Sequence, residues 1–285
     1  MKVGTISGLF RYPVKSMAGE RLDELSLGPR GVPGDRAWAV RDEVLGGIRG
    51  GKRFPELMQC RAAYDGTPPT EGSMPARITL PDGRQLAIDA AETPELLSEL
   101  VASPVTVWPL LPEDRLDHYR RGAPVLEDME AEFRRVFGRT EDEPLPDVTK
   151  FPDFLTEFES PPGTYFDAFP LLVMTNESLD HLQRTAPDHA FDVDRFRPNL
   201  LIETESEEAF PERGWPGRTL SIGGTEIRIE MDCPRCVMTT HGFGSLSKDP
   251  GIMRSLVKHA GGDLGVYASV RTPGKIRIGD TVGLN

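Results

Sequence analysis

Apolar positions fall in short runs or strict alternation, broken by frequent turns, a spacing that predicts strands more often than helices. In the first 110 residues it predicts strands at Gly4–Phe10, Ala37–Arg41, Arg77–Leu80, Gln85–Ile88 and Val105–Leu110. Pro81-Asp82-Gly83-Arg84 joins the third and fourth as a hairpin, its Asp-Gly pair suited to a tight turn. One helix fits, over Pro94–Ala102. So many short strands in one span suggest a small barrel or sandwich.

The pattern weakens over residues 112–163, where charge and proline dominate and the stretch from Thr140 to Asp147 reads as a loop or linker. From Phe166 it tightens again. Strands are predicted at Pro170–Thr175, Asn199–Glu203, Arg218–Ile222, Thr225–Met231, Gly265–Ser269 and Lys275–Ile278, with helices at Glu177–Gln183 and Ile252–His259. The expected fold is α/β and β-rich, with a boundary near residue 111 between units 1–111 and 112–285.

Composition narrows the function classes. A length of 285 residues suits one large or two ordinary domains, and a formal net charge of −12 argues against nucleic acid as a partner. No apolar run approaches the roughly 20 residues that span a bilayer, so no membrane is expected. Three cysteines make no disulfide framework, and a reducing cytoplasm is the simplest location.

Two of those cysteines sit together in Cys233-Pro234-Arg235-Cys236. A structural zinc site needs four ligands, and Cys233, Cys236 and His241 offer three at most. A thioredoxin-type dithiol opens a helix, whereas Val237-Met238-Thr239-Thr240 is β-prone. Two small apolar residues ending a strand remain an equal alternative. Arg235 beside Cys236 favours a thiolate, and one soft thiolate suits a transition metal whose other ligands come from a cofactor. Elsewhere, Lys15-Ser16 behind Pro13 could cradle an anion, Arg36 could fork onto one, and Arg197 and Asn199, two apart, would share a face on an extended backbone. His241, beside the glycines of His241-Gly242-Phe243-Gly244, is the histidine with a candidate role in site chemistry.

Six segments in order, YPVKSMAGERL, GDRAWAVRD, DRFRPNLLI, CPRCVMTT, DPGIMRSL and LGVYASVRTPGKIRIGD, resemble the MOSC superfamily from about Gly8 to Val282. The resemblance is to the branch with an N-terminal β-barrel domain, which includes amidoxime-reducing components. It implies that such a barrel packs on a MOSC β-barrel with peripheral helices, and that the chain binds a molybdenum–molybdopterin cofactor. Cys236 falls on the metal ligand and Cys233 on a neighbour that packs. Lys15 and Ser16 fall on pterin contacts, Arg36 on a residue reaching the phosphate end, Arg197 and Asn199 on the lining, Pro234 and Arg235 on the presenting loop, and Tyr267 on a tyrosine near the pocket.

The implied activity is reduction of a small N-hydroxylated substrate. The sequence has no cysteines for an iron–sulfur cluster, so electrons are expected from a separate iron–sulfur, flavin or haem carrier. Cofactor handling or sulfur transfer through a Cys236 persulfide is the alternative. The His241 loop departs from the reductases' pattern, and His241 is expected to face Cys236 as a proton donor.

Overall fold

The computed structural model describes residues 1–285, which form 16 strands and a few short helices. Seven strands close into a barrel. Around it run Leu200–Thr204, Leu171–Thr175, Asp263–Thr272, Thr225–Pro234, Thr219–Ile222, Thr281–Leu284 and Lys2–Arg11, and the last pairs back with the first. Every neighbouring pair is antiparallel except Leu171–Thr175 with Leu200–Thr204. Alternation explains the interior: Thr225, Ile227 and Ile229 are buried while Glu226 faces out. Ile6, Val173, Leu200, Ile202, Val266 and Val282 join the two isoleucines in one core of 19 buried residues.

The opening strand thus belongs to the barrel made from the C-terminal half. Strand pairing crosses the expected boundary a second time, where Glu24–Leu27 pairs with Gly274–Arg277. Between these crossings and residue 110 the chain builds its own core of 17 buried residues. Two three-stranded sheets enclose it, one of Trp38–Asp42, Ile48–Arg49 and Val105–Pro109, the other of Arg61–Ala63, Arg77–Thr79 and Gln85–Ala87. Helix Thr93–Val101 closes the side with Leu97 fully buried.

Residues 112–163 are more ordered than their sequence pattern indicates. Helix Met129–Phe137 begins at an Asp128 side-chain cap and stops at Gly138, φ 62. It lacks an apolar stripe because Met129 and Phe133 are exposed, while Glu130 to Arg134 and Glu132 to Arg135 pairs run along it. Tyr119, Phe158 and Tyr165 pack this stretch against Ala39 and Ile48. Outside the barrel, helices Asn176–Thr185 and Gly251–Ala260 share a third core with Leu172, Phe196 and Cys233. No helix is long and apolar enough to cross a membrane.

If the first strand is integral to the barrel, Ile6→Ala should cost about 2–5 kcal/mol, the range for emptying a buried aliphatic site. Urea unfolding measures this, and a loss below about 1 kcal/mol would mean the barrel stands without the strand.

Candidate functional site

The first strand delivers the chain to the rim of the barrel at Tyr12. Tyr12 N–H donates to Asp35 Oδ1 at 2.7 Å, and its hydroxyl donates to the Pro198 carbonyl at 3.0 Å. This joins three distant segments, 12–17, 35–36 and 195–199, at one place. Four non-glycine residues in the chain have positive φ, and three lie here: Ser16 (φ 71), Arg36 (φ 50) and Arg197 (φ 58). Side chains rarely adopt this region without surrounding structure that enforces it.

These residues line a narrow cavity of about 70 Å3 with Lys15, Asn199, Pro234, Arg235, Cys236 and Tyr267. Apart from His241, every expected site residue therefore reaches the same void. Lys15 is buried, and its Nζ donates to the Tyr165 carbonyl at 2.8 Å and to Asp167 Oδ1 at 2.9 Å. Burial lowers the lysine's pKa and Asp167 opposes the shift. Ser16 Oγ accepts from the Gly51 amide at 2.8 Å. A Cβ on Gly50 would stand 2.3 Å from that oxygen, so only glycine permits the approach. The Arg36 and Arg197 guanidiniums lie 5.1 and 4.2 Å from the Tyr12 ring centroid. Arg197 Nη1 donates to the Met17 carbonyl at 2.6 Å, while Nη2 is buried without a partner.

Several expected roles change. Arg197 is left-handed rather than extended, so the shared-face argument for Arg197 and Asn199 does not hold. Asn199 is fully buried and acts as a brace: Oδ1 accepts from Leu172 N–H at 3.2 Å and Nδ2 donates to the Phe10 carbonyl at 3.4 Å. Arg235 does not attend Cys236. Its Nη1 donates to Cys233 Sγ at 3.2 Å and its Nη2 to the Phe196 carbonyl at 2.6 Å. Arg235 lies just past the strand's last residue, Pro234, and its amide donates to the Gly262 carbonyl at 2.9 Å. Nor is Val237–Thr240 extended: it forms a single 3-10 turn. The Thr239 and Thr240 hydroxyls donate back to the Cys236 and Val237 carbonyls at 3.1 and 2.7 Å, which stabilises the turn despite β-branching.

His241 is not on the cavity wall. It is half-buried with Nε2 lacking a partner, and burial lowers its pKa against the opposing Gly51 backbone. Arg195 fixes the loop that carries it. Its Nη1 donates to the Thr239 and His241 carbonyls at 3.3 and 2.9 Å, and its Nη2 donates to Ser247 at 2.8 Å.

Two residues escaped the sequence reading. Asp167 is the single carboxylate on the wall. Desolvation pushes its carboxyl up, but Lys15, Lys52 and Arg36 outweigh this and hold it well below the usual range. Lys52 Nζ lies 3.9 Å from Asp167 Oδ1. The available signal was Gly50-Gly51-Lys52, a flexible pair before a cation.

Comparison with known proteins agrees with this geometry. Residues 3–110 match the MOSC N-terminal beta barrel domain and residues 161–283 the MOSC domain. The chain is 26% identical to mitochondrial amidoxime reducing component 2 of Bos taurus over 314 residues, 99% of this chain and 83% of that protein. Against the Homo sapiens protein of that name, identity is 32% over 137 residues, 41% of this chain and 38% of the relative's length. Molybdenum cofactor sulfurase of Danio rerio is 27% identical across 92% of this chain, which spans 31% of that larger protein.

The three thiols differ enough to be told apart chemically. Cys236 is half-exposed, whereas Cys60 and Cys233 are buried. Burial raises the Cys60 pKa to about 12 and also raises Cys233 against Arg235 and Tyr267, so both remain neutral near neutrality. Iodoacetamide at about pH 8 should therefore label one cysteine per native chain, Cys236, as read by peptide mass spectrometry. Comparable labelling of Cys233 in folded protein would contradict the assignment.

Proposed function

The chain belongs to the MOSC superfamily, in the branch whose MOSC domain follows an N-terminal β-barrel domain, and from that premise we propose that it is a molybdenum-cofactor oxidoreductase reducing N-hydroxylated compounds. The observation that carries this reading is the convergence of Lys15, Ser16, Arg36 and Arg197 on the cavity that exposes Cys236. The donor set fits an anionic pterin. Five cations, Lys15, Arg36, Arg195, Arg197 and Arg235, line it against one carboxylate; Arg36 is paired with the buried Asp35 behind the wall, and Arg197 Nη2 is buried with no acceptor. A terminal phosphate of about −2 charge calls for such charge-assisted donors. At about 70 Å3 the void is narrow, so loading must move side chains on its wall.

In this reading Cys236 supplies the protein thiolate to the metal. Lys15, Arg36 and Arg197 hold the anionic end, and the Phe169–Tyr267 aromatic pair, 5.6 Å between ring centroids, forms an apolar wall. The cofactor supplies two-electron chemistry, with the substrate's N–O bond exchanged for water at the expense of two electrons and two protons. A separate carrier protein supplies the electrons. No histidine lines the cavity, so protons enter from solvent at the mouth, where the Asp167 side chain is 47% exposed. Asp167 stays ionised there and accepts hydrogen bonds from a substrate amine. Lys15 holds one of its oxygens, leaving the other for that contact.

The similarity to a molybdenum cofactor sulfurase across 92% of the chain supports a second reading, in which Cys236 carries transferable sulfur. One preparation separates the two. Protein from a molybdate-fed host should hold about one molybdenum per chain and reduce benzamidoxime with an artificial electron donor. Cys236→Ala should lose the metal, while Cys233→Ala should keep most of it. His241→Ala should retain metal and stay within about threefold of wild-type turnover, far from the roughly 10²-fold loss for removing a general acid. Labile sulfur on Cys236 without molybdenum would favour the sulfur carrier, and equal metal loss from both cysteine variants would overturn the single-ligand assignment.

A further inference from the structure

A second cavity, about 340 Å3, shares Arg197 with the first but is lined otherwise by different residues. Its size lies at the small end of the range for organic ligands. Glu20 and Asp194 on its wall are already paired, with Arg11 at 2.7 Å and Arg21 at 3.1 Å, so these four charges cancel. Two cations remain uncompensated. Arg61 is exposed and gives Nη1 to the Gly19 carbonyl at 2.9 Å, with no carboxylate partner. Arg197 is 9% exposed, and its Nη2 is buried with no acceptor. A guanidinium carries five N–H donors and Met17 takes one, so Arg197 can serve an anion in each cavity.

The other lining is apolar. The Tyr12 ring already carries two guanidiniums and the Phe10 ring carries that of Arg21 at 5.4 Å, which leaves Met58 and Phe243 as the principal free apolar surfaces. Phe243 is held in place rather than loose. Its backbone pairs with Leu246 through two hydrogen bonds of 2.9 Å, and Arg195 clamps the same loop at three carbonyls. The lining thus combines a buried cation, an exposed cation and an aromatic side chain on a fixed loop.

We propose that this cavity binds a small organic anion bearing one planar ring, its carboxylate or phosphate on Arg197 and Arg61 and its ring against Met58 and Phe243. The unusual His241–Gly244 loop, which the molybdenum chemistry does not use, has a role in this site because it supplies Phe243.

Calorimetric titration of the purified full chain with benzoate, phenyl phosphate, inorganic phosphate and benzyl alcohol tests the site. One of the two aromatic anions should bind at least about tenfold more tightly than either inorganic phosphate or benzyl alcohol, and which one does so identifies the head group. Arg61→Gln and Phe243→Ala should each weaken it by about tenfold. Both positions are open to solvent or on a loop, and circular dichroism checks that the variants fold. Lys15→Gln reports on the neighbouring cavity. Weakening by Lys15→Gln alone would place the ligand beside Cys236 and overturn the proposal. So would the absence of any preference for the aromatic anions, or binding indifferent to both Arg61 and Phe243. None of these readouts uses turnover, so failure here is distinct from failure of the molybdenum reading, which metal content decides.

Discussion

The strand Lys2–Arg11 is hydrogen-bonded along both edges, to Leu200–Thr204 on one side and to Thr281–Leu284 on the other, and that pairing fixes where everything after Arg11 begins. Its register places Ile6 and Leu9 in the barrel core and carries Tyr12 to the rim. A slip of one residue would turn the buried set outward, so the register is strongly specified. From that anchor the next five residues bring Lys15 and Ser16 to the cavity that Cys236 lines. Parallel bridges from Val14 to Trp38 and Ala18 to Arg61 then tie them to the N-terminal sheets. The cavity lies where one segment is held by both cores, so its geometry depends on the two together.

Concentrating cations in such a place is costly, because a buried charge loses its hydration unless protein groups replace it. The arginines divide according to how fully they are repaid in hydrogen bonds. Arg195 donates to four backbone carbonyls, counting Ala190 at 3.0 Å, and Arg235 to two carbonyls and a sulfur. Those two hold the framework. Arg197 has one carbonyl acceptor and a stranded Nη2, and burial pulls its pKa down to about 10, which still leaves it charged at neutral pH. Lys15 is matched by Asp167, whose side chain is half in solvent. Arg197 is the incompletely satisfied group able to gain from an incoming anion, whereas Arg36 is paired with the buried Asp35; both, with Ser16, hold strained backbone.

Much of the fold was legible because short apolar runs report burial directly. Leu171–Thr175, buried at all five positions, and the pair Thr219–Ile222 and Thr225–Pro234 follow the expected segments closely. What escaped were elements whose stability is not written in hydrophobic period. Strands Glu20–Arg21 and Ile48–Arg49 are two residues long and exist through their partners. Helix Met129–Phe137 rests on caps and ion pairs. The crossing of the first strand into the distant barrel is a long-range pairing that local pattern does not encode. Of the site, the residue types and their convergence were legible, whereas side-chain direction was not: His241 is off the cavity wall, and Arg235, although on it, gives its hydrogen bond to Cys233 rather than to Cys236.

The two neighbouring thiols show why adjacency misled. After the register shifts near its end, the strand turns Cys233 into the core outside the barrel, where the Arg235 guanidinium meets its thiol in a buried contact beside Tyr267. Cys236 begins a new turn, with extended backbone (φ −110, ψ 176) and its carbonyl taken by Thr239. Both cysteines line the cavity, but burial keeps the Cys233 thiol neutral and engaged with Arg235 while Cys236 is partly exposed, so the Cys-x-x-Cys spacing does not create two equivalent sulfurs. A metal site built from both would have to pull Cys233 away from Arg235, leaving a buried guanidinium without its sulfur partner. The arrangement therefore favours chemistry that needs one accessible thiolate with a cationic surround, and disfavours a chelating or dithiol pair.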